Sequence, residues 1–145
     1  MDQILDQART GPVYLRQPAI ADMLLAVIRD ALARYELHAF AIMPNHVHLL
    51  VTPHVPLATL TKSLKGFSAR KANQILTRIG PFWQDESYDH VVRNTTEFER
   101  IKRYIEQNPV RARLVNKASE YRWSSAAWAT RRSPAGLEAC PTRPT

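Results

Sequence analysis

The sequence predicts an α+β fold built on an antiparallel sheet, and three observations predict it. Two runs of strand-forming residues, "LHAFAIM" (37–43) and "HVHLLV" (46–51), are separated only by Pro44-Asn45, the pattern of a tight hairpin. Three other stretches, 18–35, 57–79 and 96–108, repeat apolar residues at helical spacing. A third strand-like run, "YDHVVR" (88–93), lies between the second and third of these.

The elements follow in chain order. Residues 1–17 read as a short helical piece, "DQILDQA", then a turn at Gly11-Pro12 and a few extended residues. From Pro18, Ile20, Met23, Leu24, Val27, Ile28, Ala31 and Leu32 recur at helical spacing to about Tyr35. The hairpin follows, and Pro53 and Pro56 end its second strand. A long amphipathic helix is predicted from about Leu57 to Ile79. Within residues 61–80 it carries Lys62, Lys65, Arg70, Lys71 and Arg78 and no acid. Solvated helices usually mix both signs, so a face of one sign suggests phosphate contact, with a plain solvated face as the equal alternative for this helix taken alone. "GPFWQ" (80–84) is a turn with aromatics, and Asn94 to Thr96 offer N-caps for the helix "EFERIKRYIEQ", which Pro109 is expected to close. After Trp128 the chain has three prolines and no periodicity. The reading is therefore one domain over 1–128 and a disordered tail over 129–145.

Composition narrows the partners. The 145 residues are 45% apolar and 23% charged, ordinary for one globular domain. Charge is the unusual part, with 20 Lys+Arg against 13 Asp+Glu, a formal +7 that favours a polyanionic partner. No apolar run approaches the ~20 residues needed to span a bilayer. The N-terminus lacks the basic-then-apolar order of a signal peptide. Cys140 is the only cysteine, which excludes a disulfide framework and a thiolate metal site. A cytoplasmic, nucleic-acid-facing protein is expected.

Chemistry concentrates in two places. Residues i and i+2 of a strand share a face, so His46, His48 and Leu50 point one way and Val47, Leu49 and Val51 the other. The second set is pure core. Two imidazoles side by side can chelate one cation, although H-x-H alone is a weak motif. The helix from 96 to 108 strengthens it. Phe98, Ile101 and Ile105 form its apolar stripe, and Tyr104 and Asn108, four apart, stack on one flank about 40° from each other. A tyrosine at the edge of a core face is usually only packing. Beside a cation it can instead attack a polarised phosphate, with the Asn108 amide oxygen as a third ligand.

This combination resembles the HUH single-tyrosine (IS200-like) transposases, and most closely their REP-associated tyrosine transposase branch. "MPNHVHLLV" (43–51), "FWQDESYDHVVRN" (82–94), "RYIEQNPVRARLV" (103–115) and "YRWSSA" (121–126) look like that family's blocks in its order, between about Gly11 and Trp128. The resemblance implies a ferredoxin-like antiparallel sheet with helices on one face and the tyrosine helix laid against the histidine strand. It implies His46, His48 and Asn108 as ligands of Mg²⁺ or Mn²⁺, and Tyr104 as a nucleophile that forms a 5′-phosphotyrosine link. Two imidazoles and an amide favour Mn²⁺ or Zn²⁺ over Mg²⁺, which prefers oxygen. The implied substrate is single-stranded DNA beside a small hairpin repeat, held by Lys62, Lys65, Arg70, Lys71, Arg103, Arg111 and Arg113, with the protein a monomer or homodimer.

The chain departs from the family pattern in three places. The family's fold opens with a central strand beside the histidine strand, and residues 1–17 offer no clear counterpart except "PVYL", so a missing or truncated first strand is expected. Arg113 stands where the family usually has Gly, which implies either a lost left-handed position or an extra phosphate contact. His90 stands where a basic residue is common. The competing reading is a hairpin-binding protein of the same ancestry that does not cut. A metallo-hydrolase needs acids after the histidines, where this chain has "LLV", and a cupin needs more than 4 Gly. A carboxylate-triad transposase is disfavoured because Asp89 is the only acid on the predicted strands. Trp83, Trp123 and Trp128 read as packing aromatics. His38 and His54 carry no assigned role, and Tyr14, Tyr35, Tyr88 and Tyr121 lack a helical amide four residues on.

Overall fold

The computed structural model describes residues 3–10, 12–84 and 87–131. In chain order it contains β1 (Gln3–Arg9), a 3₁₀ turn (Tyr14–Arg16), α1 (Pro18–Asp30), β2 (Tyr35–Ile42), β3 (His46–Pro53) and α2 (Leu57–Leu76). There follow β4 (Ser87–Val92), α3 (Thr95–Arg111), a second 3₁₀ turn (Ala118–Glu120) and α4 (Ser125–Arg131). The four strands form one sheet in the order β2-β3-β1-β4, every neighbouring pair antiparallel. Through β4 this is the ferredoxin-like βαββαβ arrangement, to which α3 and α4 are added.

The first strand corrects the sequence reading. Residues 3–9 are not helical and the strand is not missing: β1 lies centrally, with Gln7 opposite both His48 on β3 and Tyr88 on β4. "PVYL" contributes no strand and leads into the first 3₁₀ turn. A seven-residue helix is too short to stand alone in water, whereas a strand with neighbours on both edges satisfies its backbone groups fully. The link from β1 to α1 is fastened to the hairpin turn, where Thr10 N–H donates to Asn45 C=O at 3.0 Å and Leu15 N–H to Pro44 C=O at 2.9 Å.

The helices do not all share one face, which is a second correction. α1 and α2 cover one side, where Ile20, Leu24, Ile28, Leu60 and Ala72 pack on Leu37, Phe40, Ile42, Val47, Leu49 and Val51. α3 covers the other, with Ile101 and Ile105 on Ala39, Ala41, Met43, Leu50 and Val92. Alanines on β2 let this helix approach the sheet closely. A bulge between Leu37 and Ala39 flips the alternation of β2, so Leu37 and Ala39 serve opposite cores.

Three helix ends also differ from expectation. α1 stops at Asp30, and Tyr35 opens β2 with its buried hydroxyl donating to Ile28 C=O at 2.8 Å. α2 stops at Leu76, where Thr77 turns left-handed (φ 54°) and leaves Ile79 fully in solvent. α3 runs through Pro109 to Arg111. Beyond it, residues 121–125 cover the β2 edge: Ile42 N–H donates to Trp123 C=O (2.9 Å), Phe40 N–H to Ser125 Oγ (3.1 Å) and Tyr121 hydroxyl to Ile42 C=O (2.6 Å). The three tryptophans pack as expected, with Trp83 Nε1 donating to Ser68 Oγ, Trp123 Nε1 to Asp22 Oδ1, and Trp128 edge-on to Phe40. α4 crosses the expected boundary at 128 and ends at Arg131, and the remainder of the expected tail lies outside the described residues.

Candidate active site

β3 brings the histidines to the α3 side of the sheet by the alternation read from sequence. His48 is buried at 2% exposure, and His46, nearer the open end of the strand, is half-buried. Their rings meet edge-on with centroids 4.8 Å apart. His46 Nδ1 is 2.9 Å from Asn45 Oδ1, so Nδ1 carries the proton and Nε2 the lone pair. Asn45 thus orients a candidate ligand, a role the sequence reading assigned only to turn formation.

α3 supplies the other half. Asn94 caps it by accepting from Glu97 N–H at 2.9 Å. The Glu97 carboxylate accepts from Arg93 N–H at 2.7 Å and pairs with His90 Nε2 at 2.7 Å. The Arg93 N–H bond first, then His90, hold the Glu97 carboxyl below its ordinary range. So His90 anchors the entry to α3. Three turns on, Asn108 donates from Nδ2 to His48 Nε2 at 2.8 Å, joining residues 60 positions apart. Tyr104 lies one turn before Asn108 on the same flank, its ring centroid 5.8 Å from that of His48, and it is 42% exposed. An exposed tyrosine beside a buried imidazole can reach a solvent-borne substrate. Tyr35 and Tyr121 cannot, because both are buried and their hydroxyls bond backbone carbonyls.

Of the seven basic residues singled out, three belong to α3 or the turn that ends it, and Arg111 among them meets this cluster. The Arg111 guanidinium carbon lies 4.7 Å over the Tyr104 ring, Arg103 is exposed on α3, and Arg113 follows the helix end. Arg113 keeps the left-handed position without glycine, at φ 62°. Lys62, Lys65, Arg70 and Lys71 belong to α2 on the opposite face of the sheet. There Arg70 and Lys71 flank the ring of Phe67, itself 42% exposed, at 5.9 and 5.6 Å.

As placed, Asn108 turns its Nδ2 to His48 Nε2, so a metal here requires the amide to rotate and offer Oδ1. Two imidazoles and that oxygen then make a mixed donor set suited to a borderline divalent ion such as Mn²⁺. Among the described residues no group of three or more His, Cys, Asp or Glu gathers to hold a metal. A site here depends on the Asn108 amide as its third protein donor. No helix among the described residues is long and apolar enough to cross a membrane.

Comparison with known proteins bears on the fold and the family. The family model of the IS200-like transposases matches residues 13–108, which include both histidines, Tyr104 and Asn108. A REP-associated tyrosine transposase of Escherichia coli K12 is 25% identical over 91 residues, and the match spans 63% of this chain but only 54% of that relative. A solved REP-associated tyrosine transposase bound to a REP hairpin superposes with a TM-score of 0.70 at 19% identity, over 99% of this chain and 89% of that one. A candidate transposase from Deinococcus radiodurans R1 superposes with a TM-score of 0.52 at 29% identity, over 74% of this chain and 89% of that one. The chain belongs to the IS200-like transposase family, and within that family it resembles the REP-associated tyrosine transposases.

Proposed function

We propose that this protein is a metal-dependent single-stranded DNA endonuclease and strand transferase that acts at hairpin repeats. One observation carries the reading: an exposed tyrosine and a half-buried asparagine on one helix flank converge on a buried strand histidine. His46, His48 and the Asn108 amide oxygen would hold Mn²⁺ or Mg²⁺. When bound, the ion neutralises charge on the scissile phosphate and polarises it.

The chain's own residues do the rest. The Tyr104 oxygen attacks the phosphorus, a P–O bond forms, and the bond to the 3′ oxygen breaks. The phenolic proton passes to solvent and the leaving 3′ oxygen takes one up. A 5′-phosphotyrosine remains, and the energy of the broken bond is kept in it. Attack by another 3′-hydroxyl reverses the step, so strand transfer needs no nucleotide cofactor. The DNA backbone is assigned to Arg111 beside the tyrosine, to Arg103 and Arg113 on α3 and its end, and to Lys62, Lys65, Arg70 and Lys71 on α2. The solved relative bound to a REP hairpin supports a hairpin as the substrate feature. Such a substrate implies a cytoplasmic location.

The test is a denaturing gel with end-labelled single-stranded hairpin oligonucleotides from repeats flanking the gene, with Mn²⁺ or Mg²⁺. A metal-dependent covalent band absent from Tyr104→Phe supports the proposal. Shifted but uncut DNA under every metal condition would leave a hairpin-binding protein and refute the enzyme.

A further inference from the structure

The continuation of α3 past Pro109 has a chemical consequence. Tyr104 and Arg111 are seven positions apart, and at about 100° per residue the two leave the same face of the helix to within about 20°. Helical side chains lean toward the N-terminus, so Arg111 reaches back along that face. Its guanidinium carbon comes to 4.7 Å from the centre of the Tyr104 ring, while the same ring meets His48 edge to face at 76°. Had the helix ended before Pro109, Arg111 would have no fixed relation to Tyr104. The added turn is closed by two backbone bonds, Arg113 N–H to Val110 C=O and Leu114 N–H to Pro109 C=O, both 2.9 Å.

We propose that Arg111 is a positioning residue: its guanidinium holds the Tyr104 ring in the one rotamer that faces His48 and Asn108. An exposed tyrosine otherwise changes rotamer in picoseconds to nanoseconds. A cation stacked on an exposed ring biases such a population by roughly two- to fivefold. Because rotamers exchange far faster than cleavage, the rate follows the productive fraction and changes by the same factor. This role rests on the proposed cleavage by Tyr104. It differs from phosphate binding, where Arg111 would act on DNA affinity and leave the tyrosine alone.

Single-turnover cleavage of a labelled hairpin oligonucleotide separates the two roles. In Arg111→Met the rate in the saturated complex falls about two- to fivefold while the dissociation constant for the oligonucleotide changes less than about 1.5-fold. Arg111→Lys, which keeps a cation over the ring, recovers most of that loss. A weakened affinity with an unchanged saturated rate overturns the inference, as does no change in either. A second readout needs no cleavage: with 3-fluorotyrosine incorporated, the Tyr104 fluorine resonance, identified by its absence in Tyr104→Phe, shifts in Arg111→Met. If the native chain forms no covalent adduct, the proposed enzyme fails. The fluorine resonance then decides the contact alone, and an unchanged resonance overturns it.

Discussion

Replacing Arg113 by glycine should make the protein more stable, although it removes a charged side chain. Arg113 is the first residue past α3 in left-handed conformation, with φ 62°. Its amide bonds Val110 C=O and the next amide bonds Pro109 C=O, so the helix end is a complete Schellman motif with arginine in the glycine position. The left-handed backbone costs a residue with a Cβ about 1–2 kcal/mol. Glycine avoids this but loses about 0.5–1 kcal/mol through its freer unfolded chain. The balance is roughly 0.5–1 kcal/mol in favour of glycine, or about 2–3 °C in Tm for a domain of this size. Arg113→Ala is the control, because it removes the same side chain and keeps the strained backbone. Thermal and urea unfolding of the two variants should place glycine above alanine by that margin. Equal stabilities would refute the left-handed assignment. If Arg113 also contacts phosphate, both variants lose hairpin affinity equally, and the slope of log K against log salt shallows by about one.

Three smaller predictions concern the scaffold. Val47→Ile adds a methylene toward a cavity of about 50 Å³ between α1, α2 and the back of the histidine strand. It should stabilise the fold by about 1 kcal/mol in denaturant unfolding, and a loss would mean the cavity cannot admit a methyl group. Tyr121→Phe removes the 2.6 Å bond to Ile42 C=O, in a site whose burial pushes the phenol up to about 12. It should cost about 1–2 kcal/mol, and a neutral effect would mean the covered β2 edge contributes nothing to stability. His38 is held below its ordinary value by burial first and by Lys102, against Glu36. The fold disfavours its protonation, while the unfolded chain protonates near 6.5. The stability it contributes is therefore present above about pH 6.5 and is lost as pH falls below it. His38→Gln, which can keep a hydrogen bond to Thr52, should lose less stability than the native chain between pH 7 and 5; parallel losses would contradict this.

The hairpin, α2 and the facing directions of His46 and His48 were legible because their signals are local: a proline turn, a 3.6-residue period and a two-residue alternation. Tyr104 and Asn108 were legible as a pair through four-residue spacing. What could not be read depends on distant partners. Gln3–Arg9 has apolar residues that suit a short helix, and only two flanking strands make it a strand. The bulge at His38 inverts the β2 alternation, which concealed that Ala39 and Ala41 serve a second core under α3. Pro109 normally marks a helix end because it lacks an N–H and crowds the preceding turn. Here it is buried, and its own carbonyl accepts the Leu114 N–H that closes the helix. With the helix read as closed at Pro109, the stacking of Arg111 on Tyr104 was out of reach.

The most direct test of the central claim is where DNA attaches. The native protein would be incubated with Mn²⁺ and a single-stranded hairpin oligonucleotide, digested, and its nucleotide-bearing peptide sequenced by mass spectrometry. The prediction is one modified residue, Tyr104, joined to a 5′ phosphate, and no modified peptide when Asn108 is replaced by alanine. Attachment at any other tyrosine, or an adduct that forms equally without metal, would contradict it.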